Sequence, residues 1–228
     1  MKINLNGIIV IVGNYGSGKT EVAVNLAMDQ KKAGKAVRIA DLDLVNPYFR
    51  TREAREILSR MGIDVVLPPR KYLQADLPVL SPLVSGMIRN PSELTIIDAG
   101  GDDVGATVLS SLADAFKGRT VQTLQVVNPF RPFTETIEGC LKIKDEIENA
   151  SRLQVTGIVG NANLIDETTP EHILFGYEFV RRLCRESGLP LVFVAVMKRI
   201  LDQIHEPPFE CPLLVMERSL ALPWMKQG

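Results

Sequence analysis

The chain has 228 residues, 46% of them hydrophobic and 23% charged, with 26 Lys and Arg against 27 Asp and Glu. This composition supplies a core and excludes a disordered chain, and the balanced charge excludes the basic excess that a dominant nucleic-acid footprint needs. Cys140, Cys184 and Cys211 are odd in number and far apart, which fits no disulfide framework or Cys-x-x-Cys metal site and predicts reduced thiols in a cytoplasmic protein.

The first element is "GIIVIVG" at 7–13, an apolar run too short to span a membrane and followed by no signal-peptide cleavage pattern. Further β-branched runs at 36–43, 63–68, 94–100, 120–128, 155–162 and 190–196 are continuous rather than alternating, as in strands covered on both faces. Between them lie helical patterns at 19–33, 49–61, 105–116, 133–149 and 170–186. This alternation predicts one α/β domain over 1–228, a three-layer, doubly wound, mostly parallel sheet with helices on both faces. The stretch 67–92, broken by Pro68, Pro69 and Pro78, reads as loop plus a short helix near 79–89. The tail "CPLLVMERSLALPWMKQG" predicts a short strand followed by an aromatic plug at Trp224 rather than a membrane helix.

Behind the first strand stands "GNYGSGKT", matching the phosphate-loop pattern G-x-x-x-x-G-K-[ST] in its strand–loop–helix context. Gly13, Asn14, Tyr15, Gly16, Ser17 and Gly18 would close backbone N–H groups around phosphate oxygens at a helix N-terminus. Lys19 would neutralise the β- and γ-phosphate oxygens, and Thr20 would give its hydroxyl to Mg²⁺.

The second strand ends in Asp41 and Asp43. By themselves these read as solvated turn aspartates; beside a phosphate loop, one can support a metal's waters and the other an attacking water. Asp98 ends "LTIIDAGG", where a Walker B carboxylate would sit near Mg²⁺. Gly100 and Gly101 allow a backbone N–H to approach a γ-phosphate and move when it leaves. Asn161 and Asn163 end another strand. Each reads either as a base-edge contact or as a cap on the next turn. A guanine reader would need Asn-Lys-x-Asp; from Asn161 the chain runs Asn-Ala-Asn-Leu, which favours adenine. His172 and His205 lack partners at metal-ligand spacing and read as structural or surface residues.

In order, "GNYGSGKT", "DLDLVNPYFRTRE", "IIDAGGDDVG", "VVNPFRPFTET" and "GIVGNA" resemble the ParA/MinD branch of P-loop ATPases. The resemblance implies an ATPase using Mg²⁺, with Lys19 and Asp43 in catalysis and Thr20, Asp41 and Asp98 at the metal. It places Gly101 in a switch, Asn161 at adenine, and the chain as a switch on an unknown protein partner, with homodimerisation as a candidate state. The family's second loop lysine is Asn14 here; Arg50 and Arg52 read either as its replacement or, more commonly for such arginines, as a solvated helix-start face. Three other readings fit a P-loop: a GTP-dependent metallochaperone-like protein, suggested by Asn163 and Asp166; a small-molecule kinase or ligase; and a module that binds ATP without turnover.

Overall fold

The computed structural model describes residues 1–42, 51–66, 82–100 and 103–217. Asp43, Arg50, Gly101 and Trp224, and the Arg52 side chain, lie outside the described residues. So does the whole stretch 67–81.

Eight strands form one sheet: β1 (Gly7–Val12), β2 (Val37–Leu42), β3 (Asp64–Val66), β4 (Leu94–Ala99), β5 (Val121–Val127), β6 (Gly157–Gly160), β7 (Leu191–Met197) and β8 (Leu213–Met216). Their order is β3-β2-β4-β1-β5-β6-β7-β8 and every pairing is parallel. Parallel neighbours need crossovers, and helices supply them. These are α1 (Lys19–Lys32), α2 (Thr51–Arg60), α3 (Pro82–Arg89), α4 (Asp103–Ser111), α5 (Ala113–Phe116), α6 (Ile137–Ser151), α7 (Pro170–Ser187) and α8 (Lys198–Leu201).

The sheet's two faces bury different partners. Ile9, Ile11, Ile39 and Ile96 pack with Val22 and Leu26 of α1 and Ala54 and Leu58 of α2. The opposite face, with Ile8, Val10, Ala40 and Ile97, is covered by α3, α4 and α5. There Val127 and Ile158 meet α6 and α7. The expected layering is therefore what the chain adopts.

α1 differs from an ordinary surface helix. Val22, Ala23, Val24, Asn25, Leu26 and Ala27 are consecutive and all buried, so it is covered on every side. It packs on β2 and β4 and also on β8 at the far edge. Asn25 accepts from the Glu217 backbone N–H at 3.1 Å, just past β8. The sheet thus curls far enough for its β8 edge to reach α1.

Several boundaries depart from the sequence reading. Helix α6 starts at Ile137 rather than near 133, because Phe133 has φ 69° and Thr136 caps the helix by accepting from Gly139 N–H at 3.0 Å. The run 105–116 is two helices broken at Leu112. His172 is structural: its Nδ1 accepts from the Thr169 backbone N–H at 3.1 Å in a capping box ahead of α7. On α7, Arg181 pairs with Glu178 and Arg182 with Glu186.

Candidate functional site

The loop between β1 and α1 has the shape its glycines require. Gly13, Gly16 and Gly18 have φ of 145°, 73° and 87°, a region L side chains rarely enter. Space forbids side chains as well: a Cβ on Gly13 would stand 2.5 Å from the Val126 carbonyl oxygen, and one on Gly18 would collide with the Asn161 amide. Gly18 is also the N-cap of α1. Having no side chain to offer, it leaves the first helix amides to a ligand, at the positive end of the helix dipole.

Lys19 is only 7% exposed, and its Nζ donates to the Asn14 carbonyl at 3.1 Å. The ammonium is therefore folded over the loop rather than extended into solvent. Asn14 organises the turn, since its Oδ1 accepts from Tyr15 N–H at 2.7 Å and its carbonyl accepts from Ser17 N–H at 3.2 Å. Tyr15 is 70% exposed, Thr20 is half-buried on the first turn of α1, and Ser17 is wholly buried with no hydrogen-bond partner for its hydroxyl.

Two carboxylates face this loop's helix. Asp41 and Asp98 are register partners on β2 and β4, and Asp98 is flanked on its other side by Ile11 of β1. Side chains alternate along a strand. Asp41 follows Ile39 by two and Asp98 follows Ile96 by two, so both lie on the α1 face. Both are buried, at 5% and 0% exposed. Two carboxylates brought together out of water call for a cation nearby. Lys19 supplies one at the same end of the sheet, and the oxygen-only donor set of Thr20, Asp41 and Asp98 suits Mg²⁺. Among the described residues no group of three His, Cys, Asp or Glu side chains converges. Mg²⁺ does not need such a cage, because phosphates and water complete its shell.

Asn161 is 2% exposed and donates its amide to the Ser17 carbonyl at 2.7 Å. One of its two amide N–H groups is spent on the phosphate loop. Asn163 is engaged within its own turn, its Oδ1 accepting from Ile165 N–H at 2.5 Å. Asp166 sits beyond it on an exposed 3₁₀ turn, Ile165–Glu167.

Sequence reasoning passed over Asn128 and Arg131. The Asn128 amide donates to the Asn163 carbonyl at 2.8 Å and accepts from Phe130 N–H at 3.1 Å, joining the loops after β5 and β6. Arg131 Nε donates to the Gly16 carbonyl at 3.1 Å. The only signal for Arg131 was its place after a strand beside β1. No helix among the described residues is long and apolar enough to cross a membrane.

No protein-family model and no curated protein sequence matches the chain. Solved structures do. The signal recognition particle receptor FtsY from Elizabethkingia anophelis aligns with 88% of this chain and 62% of its own, at TM-score 0.54 and 18% identity. The cell division protein FtsY from Thermotoga maritima aligns with 85% of this chain and 62% of its own, at TM-score 0.55 and 20% identity. FlhF complexed with GTP/Mg²⁺ covers 84% of this chain and 66% of its own, at TM-score 0.51 and 16% identity. The chain thus spans about three-fifths of the length of the FtsY chains it matches.

These neighbours lie in a different P-loop branch from ParA/MinD, and that corrects the ParA/MinD assignment. The site gives a physical reason for the mismatch: Asn14, where that family has its second lysine, spends its amide inside the molecule on the Pro132 carbonyl at 2.6 Å. At such identities the likeness is one of architecture, and this chain has the P-loop NTPase fold.

Proposed function

We propose that the protein binds a Mg²⁺–nucleoside triphosphate at the loop 13–20 and hydrolyses its terminal phosphoryl bond. The observation that carries this is the buried Lys19 ammonium at a glycine-shaped helix N-terminus, with the register-paired Asp41 and Asp98 on the same sheet face. The loop amides and the α1 dipole would bind and orient the phosphates. Lys19 would move from the Asn14 carbonyl onto the β- and γ-oxygens. Thr20 and Asp98, with Asp41 behind, would hold Mg²⁺, which when bound supplies charge neutralisation on the phosphate oxygens. Asp43 is proposed to orient the attacking water and Gly101 to follow the γ-phosphate. Catalysis would be mostly positioning and electrostatics, so turnover is slow without a protein partner to complete the site.

The base is proposed to be adenine. Leu164 occupies the third place after Asn161, where a guanine-reading carboxylate would stand, and Asn163 is engaged within its own loop. A second reading, GTP, has one observation in its favour: the likeness to FlhF complexed with GTP/Mg²⁺. Phosphate release with ATP or GTP, alone and in competition, separates the two. Steady release from ATP that requires Mg²⁺ and is lost in Lys19→Ala is the expected result. Absence of release from either nucleotide, with binding intact, would reduce the protein to a binding module.

A further inference from the structure

Two loops at the top of the sheet are tied by a reciprocal pair of hydrogen bonds. From the phosphate loop, Asn14 Nδ2 donates to the Pro132 carbonyl at 2.6 Å. From the loop after β5, Arg131 Nε donates to the Gly16 carbonyl at 3.1 Å, and the guanidinium packs over the Gly16 Cα, where an added Cβ would be 3.5 Å from Arg131 Cδ and Nε. We infer that this clasp, with Arg131 as its positioning residue, sets the phosphate loop in its anion-binding shape; the inference rests on the nucleotide reading above.

The peptide unit explains how. In a trans peptide the C=O and the following N–H point in opposite directions. Arg131 holds the Gly16 carbonyl on the exposed side of the loop, and the buried Asn161 amide holds the Ser17 carbonyl on the inner side at 2.7 Å. Pulling the Ser17 carbonyl toward Asn161 aims the Gly18 N–H the other way. Pinning the Gly16 carbonyl keeps the Gly16–Ser17 unit from flipping its oxygen into the space an anion would occupy.

Arg131 can do this because its own segment is rigid. Thr134 Oγ1 donates to the Asn128 carbonyl at 2.7 Å, and the Thr134 backbone N–H donates to the Arg131 carbonyl at 3.1 Å. Phe133 takes a left-handed φ of 69° although it is 73% exposed. Its carbonyl presses against Gly139, where no Cβ would fit. A non-glycine residue held in that region costs on the order of 1 kcal/mol or more and persists only where its surroundings over-determine it. Asn128 carries the rigidity on to the loop after β6.

The test is calorimetry of the full chain with Mg²⁺–ADP and with Mg²⁺ and a non-hydrolysable ATP analogue. Because Arg131 acts through the loop and not on the γ-phosphate, Arg131→Ala should raise Kd for both ligands by the same factor, about tenfold. Asn14→Ala should weaken both as well. The double variant should lose less than the product of the two single losses, since each removes the same clasp. Should Arg131→Ala fail to fold, Arg131→Lys keeps a donor and should weaken both ligands by a smaller common factor. Loss confined to the triphosphate analogue would mean direct γ-phosphate contact and overturn the clasp, as would unchanged affinities. A wild-type chain that binds neither nucleotide would overturn the reading of the site, and the clasp with it.

Discussion

The loops after β1 and β5 stand side by side, yet they are built on opposite rules. The first is glycine-made: its left-handed residues are glycines, and its fold is written in eight consecutive letters. The second, "NPFRPFTET", is made of proline, threonine and aromatics, and its one left-handed residue is Phe133. The first has the chemistry but limited rigidity of its own. The second shows no phosphate chemistry but is stiffened by Thr134, Asn128 and the start of α6. A recognisable motif is thus held in shape by residues 115 and 144 positions away in sequence, which no local pattern announces.

The sharpest way to break this comparison is at the glycines. Gly13→Ala places a Cβ against the Val126 carbonyl, a backbone atom that cannot step aside. The cost expected is about 3 kcal/mol, read as a fall in Tm of roughly 10 °C, together with loss of nucleotide binding. An unchanged Tm would show that the loop can take another shape.

Next in size is Asn161→Ala, which strands the buried Ser17 carbonyl at a cost of about 1–3 kcal/mol. If Asn161 serves the loop, affinities for ATP, GTP and ADP fall by a common factor. If it reads the base, selectivity between ATP and GTP changes while stability holds, so the pair of measurements decides between the roles.

Smaller again is Thr136→Ala, which removes the cap that ends the second loop and starts α6. About 1 kcal/mol of stability is expected to go, measurable by urea unfolding, with nucleotide affinity reduced only as far as the clasp loosens.

The last effect, absent at neutral pH, is a pH dependence. Burial pushes the Cys140 thiol on α6 up to about 12. The folded chain therefore keeps it neutral while the unfolded chain ionises it from about pH 8.5. Stability present below that pH is lost as pH rises toward the folded value. The urea midpoint should decline more steeply between pH 9 and 10.5 in the wild type than in Cys140→Ala, and parallel declines would show that the thiol is not the cause.

Much of the architecture was legible because it is local. Continuous β-branched runs became parallel strands, "GNYGSGKT" became a loop of positive-φ glycines, and "LLVM" became the expected last short strand. What stayed hidden depends on contacts distant in sequence. The register that sets Asp41 beside Asp98 follows from strand order, which the letters do not state. The curl that brings β8 onto α1 depends on the whole sheet. The apparent helix start at 133 was false because an aromatic-rich turn mimics helical spacing, while Thr136 and Gly139 fix the true start. Asn161 invited a base-reading role because a strand-end amide can serve a base or a backbone equally well; in the fold one of its N–H groups meets Ser17, a tie that spans 144 positions.

The most direct test of the central claim is a titration of the purified chain with a non-hydrolysable ATP analogue, with and without Mg²⁺, beside Lys19→Ala. Saturable binding with one site per chain, tighter with Mg²⁺ and absent in Lys19→Ala, is the predicted result. Equal affinity in the wild type and Lys19→Ala, or no binding to the wild type at all, would contradict it.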